Sequence, residues 1–265
     1  MAAPLPVVLL LIDWWEKRTL NAKLILEKLP FFAIALYLGY AAIGAQESSD
    51  AVNYTSYTFI EKLVFAGSSF SMYIVKFFAP TDLSAFYPYP NLEKEGMPSI
   101  FYLRTIISFA LLAAAAYFGR KHRVLWLGMG FFILMLLLVL QFLTVGSAVM
   151  ADRYTYIPFT GLALIIGWFM HKVVTEHSLF KYKPLAYGVL AVGSIGWAVA
   201  SNQQAKTWKD TPSLFTNVIE TQPGSVVAWN NRGKYYGFRL QQYEAALSDL
   251  NMAIQDAPNL SLIHI

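Results

Sequence analysis

The chain has 265 residues, 57% of them hydrophobic and 14% charged, and its mean hydropathy of +0.46 is that of an integral membrane protein rather than a soluble domain. The net charge of +4 does not call for nucleic acid, because the Lys and Arg residues sit in short connections between apolar runs, where they orient a membrane protein. With no Cys there is no disulfide framework, thiolate metal site or Cys nucleophile, and the His residues at 122, 171, 177 and 264 lack ligand spacing.

The first run, MAAPLPVVLLLIDWW, is too short to span a bilayer and has no basic stretch before it, so it is neither a span nor a signal peptide. The chain is expected to start inside a helix, with Trp14 and Trp15 as interface residues. Apolar runs at 29–45, 100–118, 124–145, 156–170 and 185–200 are expected to cross the membrane. Three connections carry the basic residues: Lys17, Arg18, Lys23 and Lys28; Arg120, Lys121 and Arg123; Lys172, Lys181 and Lys183. All three stay cytoplasmic only if the remaining run, 59–78, does not change sides. Its sequence sets Lys62, Ser69 and Lys76 seven residues apart, with Glu61 and Ser68 beside them, a polar stripe on an otherwise apolar helix. An interfacial or re-entrant helix is expected, its stripe turned to water or headgroups, where the lysines can attract a phosphate; the other reading is a spanning helix packed inside a bundle.

This order puts 46–58, 79–99, the stretch VMADRYTYIPFTG at 149–161 and everything after residue 200 on the non-cytoplasmic side. Glu47 and Asp50 are external carboxylates that nothing positions, and Asn53, Tyr54 and Thr55 form a glycosylation sequon that matters only in a secretory compartment. After Ala200 the chain turns polar. Trp229, Gly233, Tyr236, Ala246, Leu250, Ala253 and Pro258 match the bulky, small and aromatic positions of a tetratricopeptide repeat, with one extra residue in the turn near Gly237 to Gln241. LFTNVIETQPGS before it repeats the spacing, with Phe215, Val218 and Pro223 standing as Leu250, Ala253 and Pro258 do. About three repeats make a stable stack, so further repeats are expected beyond the closing SLIHI, which fits no element, and the two ends read as those of a fragment. The expected fold is all-α: a polytopic membrane helical bundle over 1–200, then external tetratricopeptide repeats over 201–265.

The succession LLLIDWW, LPFFAIAL, FFAPTDLSAFYPYP, ADRYTYIPFTGL and WKDTPSLF running into repeats resembles the tetratricopeptide-repeat membrane O-mannosyltransferases and their bacterial relatives, of glycosyltransferase fold class C. The resemblance covers nearly the whole chain, and its most specific parts are FYPYP at 86–90 and DRYTYIP at 152–158. It implies transfer of a sugar from a polyprenyl or dolichyl phosphate to a protein acceptor on the non-cytoplasmic face, in a bacterial inner membrane with periplasmic repeats that bind the acceptor or a partner. It also implies an acidic catalytic loop after the first helix, often with a divalent metal ion; no such loop occurs here, so this polypeptide alone is expected to be inactive. The alternative is a noncatalytic membrane scaffold whose repeats gather partner proteins.

A lipid-phosphate donor needs cations for the departing phosphate. Arg153 offers a planar fork of donors; Asp152 can orient it or cap the following helix; Tyr154 and Tyr156 can hydrogen-bond sugar or phosphate. Tyr87 and Tyr89 in FYPYP offer faces for sugar rings. Each of these also reads as an interface anchor.

Overall fold

A computed structural model describes residues 4–19, 21–47, 57–92, 96–140 and 148–256. Pro258 of the repeat pattern, Asp50 and the sequon at 53–55 lie outside the described residues, as does the side chain of Glu47. The described chain is all-α apart from two very short strands. Its helices are α1 (Leu5–Trp15), α2 (Ala22–Glu47), α3 (Phe59–Phe78), α4 (Ser99–Gly119), α5 (Arg123–Leu136), α6 (Phe159–Thr175), α7 (Lys183–Thr207), α8 (Thr211–Thr221), α9 (Val226–Phe238) and α10 (Tyr243–Asp256). Strands β1 (Tyr87–Pro88) and β2 (Ala148–Met150) pair antiparallel, with Tyr87 opposite Met150.

Three stretches are long and apolar enough to cross a membrane: Ala22–Ala41 in α2, α4, and His177–Thr207, which ends as α7. The other expected spans come out short. Helix α5 stops at Leu136 after 14 residues and α6 has 17, about 21 and 26 Å at 1.5 Å per residue against a hydrocarbon core of about 30 Å.

Side-chain contacts fix how the helices run. At one end, Arg123 lies over the Trp14 ring, 4.5 Å from its centre, and donates to the Trp14 carbonyl. Trp14, expected only as an interface residue, therefore ties α1 to α5. Lys28 reaches Asp13 at 3.0 Å and Arg18 reaches it at 2.8 Å, Gly119 abuts Trp126, and His122 packs on Trp168 at 4.9 Å. The three basic connections thus gather at one end of the bundle. At the other end, Phe132 of α5 meets Phe159 of α6 at 6.5 Å, and Phe159 meets Trp197 of α7 at 5.9 Å. Antiparallel α5 and α6 cross with almost no side chain between them, since a Cβ on Gly128 would lie 2.6 Å from the Gly161 carbonyl oxygen. Small residues at such crossings let backbones approach where lipid removes the hydrophobic drive to associate.

Helix α3 lies across this second end. A capping box starts it: the Thr58 hydroxyl accepts from the Glu61 amide while Glu61 accepts from the Thr58 amide. It then touches four helices in succession: Phe65 on Phe101 of α4 at 5.9 Å, Phe70 on Phe132 of α5 at 5.5 Å, and Phe77 on Phe159 of α6 at 5.0 Å and Trp197 of α7 at 5.8 Å. The α4 crossing is pinned by Thr105 and Ser108 hydroxyls donating to the Val64 and Gly67 carbonyls at 2.9 and 2.5 Å. The far part of the polar stripe is covered by protein, while Glu61 and Lys62 at its start are half-buried. Ser68, Ser69 and Lys76 are buried, because the segments 81–89 and 148–152 run along that face of α3. An i, i+7 stripe marks one face of a helix but does not say what covers it.

After α7, helices α8, α9 and α10 fold back on one another as antiparallel hairpins. Gly233 of α9 faces α10 so closely that a Cβ there would lie 3.1 Å from Asp249 and Leu250 atoms. Ala228, Ala246 and Ala253 are buried between the helices. Arg232 joins all three, making a two-pronged ion pair to Asp249 at 2.8 and 2.9 Å and donating to the Thr216 hydroxyl at 2.8 Å. In the turn between α9 and α10, Gln241 is held at φ +54.

Candidate functional site

Residues 152–155 of the DRYTY stretch form a short 3-10 helix directly after β2. Asp152 neither caps the following helix nor touches Arg153. Its Oδ2 accepts the Ser84 amide at 2.6 Å and the Tyr87 hydroxyl at 3.1 Å, stitching this turn to the segment 82–88. The other carboxylate oxygen is buried and has no hydrogen-bond partner among the described residues. Burial raises the Asp152 pKa above the ordinary carboxylate range, against the opposing pull of the Ser84 amide and the Lys76 charge.

The Tyr87 hydroxyl also lies 2.9 Å from the Asp82 carbonyl, and a phenol carries one proton for two acceptors. Tyr87 is itself held neutral, its pKa pushed up by burial and then by the Asp152 charge.

Behind Tyr87 lies Lys76, 6% exposed. Its ammonium donates to the carbonyls of Thr81 and, at 3.0 Å, Asp82, and sits 5.5 Å from the centre of the Tyr87 ring. Asp82 adopts φ +47, a left-handed conformation that Asp tolerates better than most residues. That bend turns two successive carbonyls toward one cation. Burial draws the Lys76 pKa down, and Arg104 pulls the same way, while Asp152 and Asp82 oppose them.

Arg153 projects outward. One terminal guanidinium nitrogen donates to the Ala85 carbonyl at 2.6 Å and the other to the Tyr154 hydroxyl at 3.4 Å, and the group lies over the Tyr154 ring at 4.9 Å. A guanidinium carries five N–H donors, so three remain beyond these two contacts on an exposed side chain. Tyr154, with Phe86 and Ala151, also belongs to an apolar cluster formed with Val218, Ile219 and Ala228 of α8 and α9, and Phe86 meets Phe215 at 6.4 Å. Helices α8 and α9 therefore dock directly on the loop that carries Arg153.

Among the residues singled out from sequence, the structure brings together Asp152, Arg153, Tyr154 and Tyr87. Tyr156 stands apart, 86% exposed. Tyr89 turns inward, stacked on Tyr57 and edge-on to Phe65, both at 5.1 Å, with its hydroxyl buried and unpaired. Sequence reasoning missed Ser84 and Asp82, whose contributions come from the backbone and leave no mark in residue type. Among the described residues, no group of three or more His, Asp or Glu is gathered as metal ligands would be. Comparison with known proteins returns no match, whether to family models, curated proteins or solved structures.

Proposed function

We propose that this chain forms the donor-lipid and acceptor-binding part of a membrane glycosyltransferase, one that moves a sugar from a polyprenyl or dolichyl phosphate to a protein acceptor. The observation that carries the reading is the joining of three parts at one end of the bundle: the exposed Arg153 fork, the Asp152–Tyr87–Ser84 clamp beneath it, and helices α8 and α9 docked on the same loop. Arg153 contacts the donor phosphate, a group its planar donors match. Asp152 positions that loop rather than touching the ligand. Helices α8 to α10 are tetratricopeptide units that hold an extended segment of the acceptor, and their docking keeps that segment beside the donor. The basic connections at the opposite end then face the cytoplasm and the site faces away from it.

Binding is the direct test. In membranes carrying the protein, Arg153→Ala should weaken retention of a radiolabelled polyprenyl-phosphate-linked sugar by about 10- to 100-fold, the worth of charge-assisted hydrogen bonds. Unchanged retention by a correctly inserted variant removes Arg153 from the site. A second reading, a noncatalytic scaffold, draws on the exposed apolar residues Phe238, Tyr243 and Leu247 of the last hairpin, which suit a protein partner.

A further inference from the structure

Helix α4 carries one charged residue in its 21-residue length, Arg104. A cation within a segment long and apolar enough to cross a membrane is costly and calls for a named counter-charge. Arg104 has none: it makes no hydrogen bond or ion pair with any described residue, although it is half-buried. It does not escape to the aqueous end through a partnered contact, and its neighbour Thr105 fixes the backbone there by donating to Val64 of α3. Nearby charge makes the position more anomalous, because Lys76, which senses Arg104, is another cation. The donors of Lys76 are committed to the Thr81 and Asp82 carbonyls, so it adds positive field while the Arg104 fork stays open. On either side of Arg104 along α4, Leu103, Ile106 and Ile107 are exposed, an apolar track beside an unsatisfied cation.

We propose that Arg104 binds the phosphate of a membrane lipid at the crossing of α3 and α4, with the lipid chain lying along Leu103, Ile106 and Ile107. The ligand is thus anionic at one end and apolar along its length; free phosphate satisfies the cation but not the track. This deepens the donor-binding part of the proposed function and rests on that reading only for which lipid is chosen.

The test uses the purified full chain in neutral detergent, with native mass spectrometry reading bound lipid. Decaprenyl phosphate, phosphatidylglycerol and inorganic phosphate are added in separate arms. Arg104→Gln should lose lipid phosphate by about tenfold or more, and Arg104→Lys, which keeps the charge but not the fork, by less; Lys181→Gln, at the opposite end, should bind as the parent does. Near-equal binding by the parent, Arg104→Gln and Arg104→Lys overturns the proposal, as does inorganic phosphate binding as well as the lipids. If Arg104→Gln does not fold, an unchanged Arg104→Lys overturns it alone. Dependence on Arg104 for phosphatidylglycerol but not decaprenyl phosphate supports the site and removes Arg104 from donor binding; dependence for decaprenyl phosphate supports both.

Discussion

Replacing Gly128 with Ala adds one methyl group where α5 meets α6, at 2.6 Å from the Gly161 carbonyl oxygen. That neighbour is backbone, so it cannot rotate away as a side chain can. Restoring ordinary contact means parting the helices by about 0.6–0.8 Å, enough to weaken close packing all along the crossing. The same move loosens Phe132 against Phe159 and, through Phe70 and Phe77, the seat of α3. Overpacking of this kind costs about 1–3 kcal/mol, whereas Ala replacing a helical Gly without a clash gains up to about 1 kcal/mol. Gly188 and Gly193 in α7 supply that control, since a Cβ at either meets nothing within 4 Å. Heating the detergent-solubilised variants and following the monodisperse fraction by size-exclusion chromatography should show Gly128→Ala melting several degrees below Gly188→Ala and Gly193→Ala. Equal midpoints would refute the close crossing of α5 and α6.

Two further predictions concern charge. The raised Asp152 pKa means the folded protein binds this proton more tightly than the unfolded chain; the stability it contributes is present below the unfolded value of about 3.9 and lost as pH rises through the folded one. Melting profiles across that window should therefore slope downward more steeply in the parent than in Asp152→Asn, and parallel profiles would show that Asp152 titrates normally. Arg232→Ala leaves Asp249, 5% exposed, without its partner, a loss of about 3–5 kcal/mol for a buried ion pair broken on one side. Limited proteolysis should then cut between α9 and α10, whereas Arg232→Met with Asp249→Leu should restore resistance; resistance in Arg232→Ala itself contradicts the role given to the pair.

The long apolar runs were legible because crossing a bilayer demands length, and α2, α4 and α7 have it. Their edges were not. Helix α2 begins at Ala22 rather than at residue 29, since Lys28 and Glu27 are drawn into the ion-paired knot with Asp13 and Arg18, a contact hydropathy does not register. Helix α5 ends earlier than its apolar run because composition alone does not tell a helix from the turn that follows Leu136. The DRYTY stretch was visible as polar residues between apolar runs, but its chemistry depends on partners 65 and 68 residues away in sequence. Lys76 shows the limit most plainly, because its periodicity fits a headgroup-facing stripe as well as the protein-covered one observed.

The donor site at the end opposite the basic connections is the central claim, and photo-crosslinking tests it most directly. A polyprenyl-phosphate-linked sugar bearing a photoreactive group beside the phosphate should label peptides containing residues 82–89 and 152–156, in amounts that fall when unlabelled donor competes. Competable label on residues 120–123 or 172–183, or none at all, would contradict it.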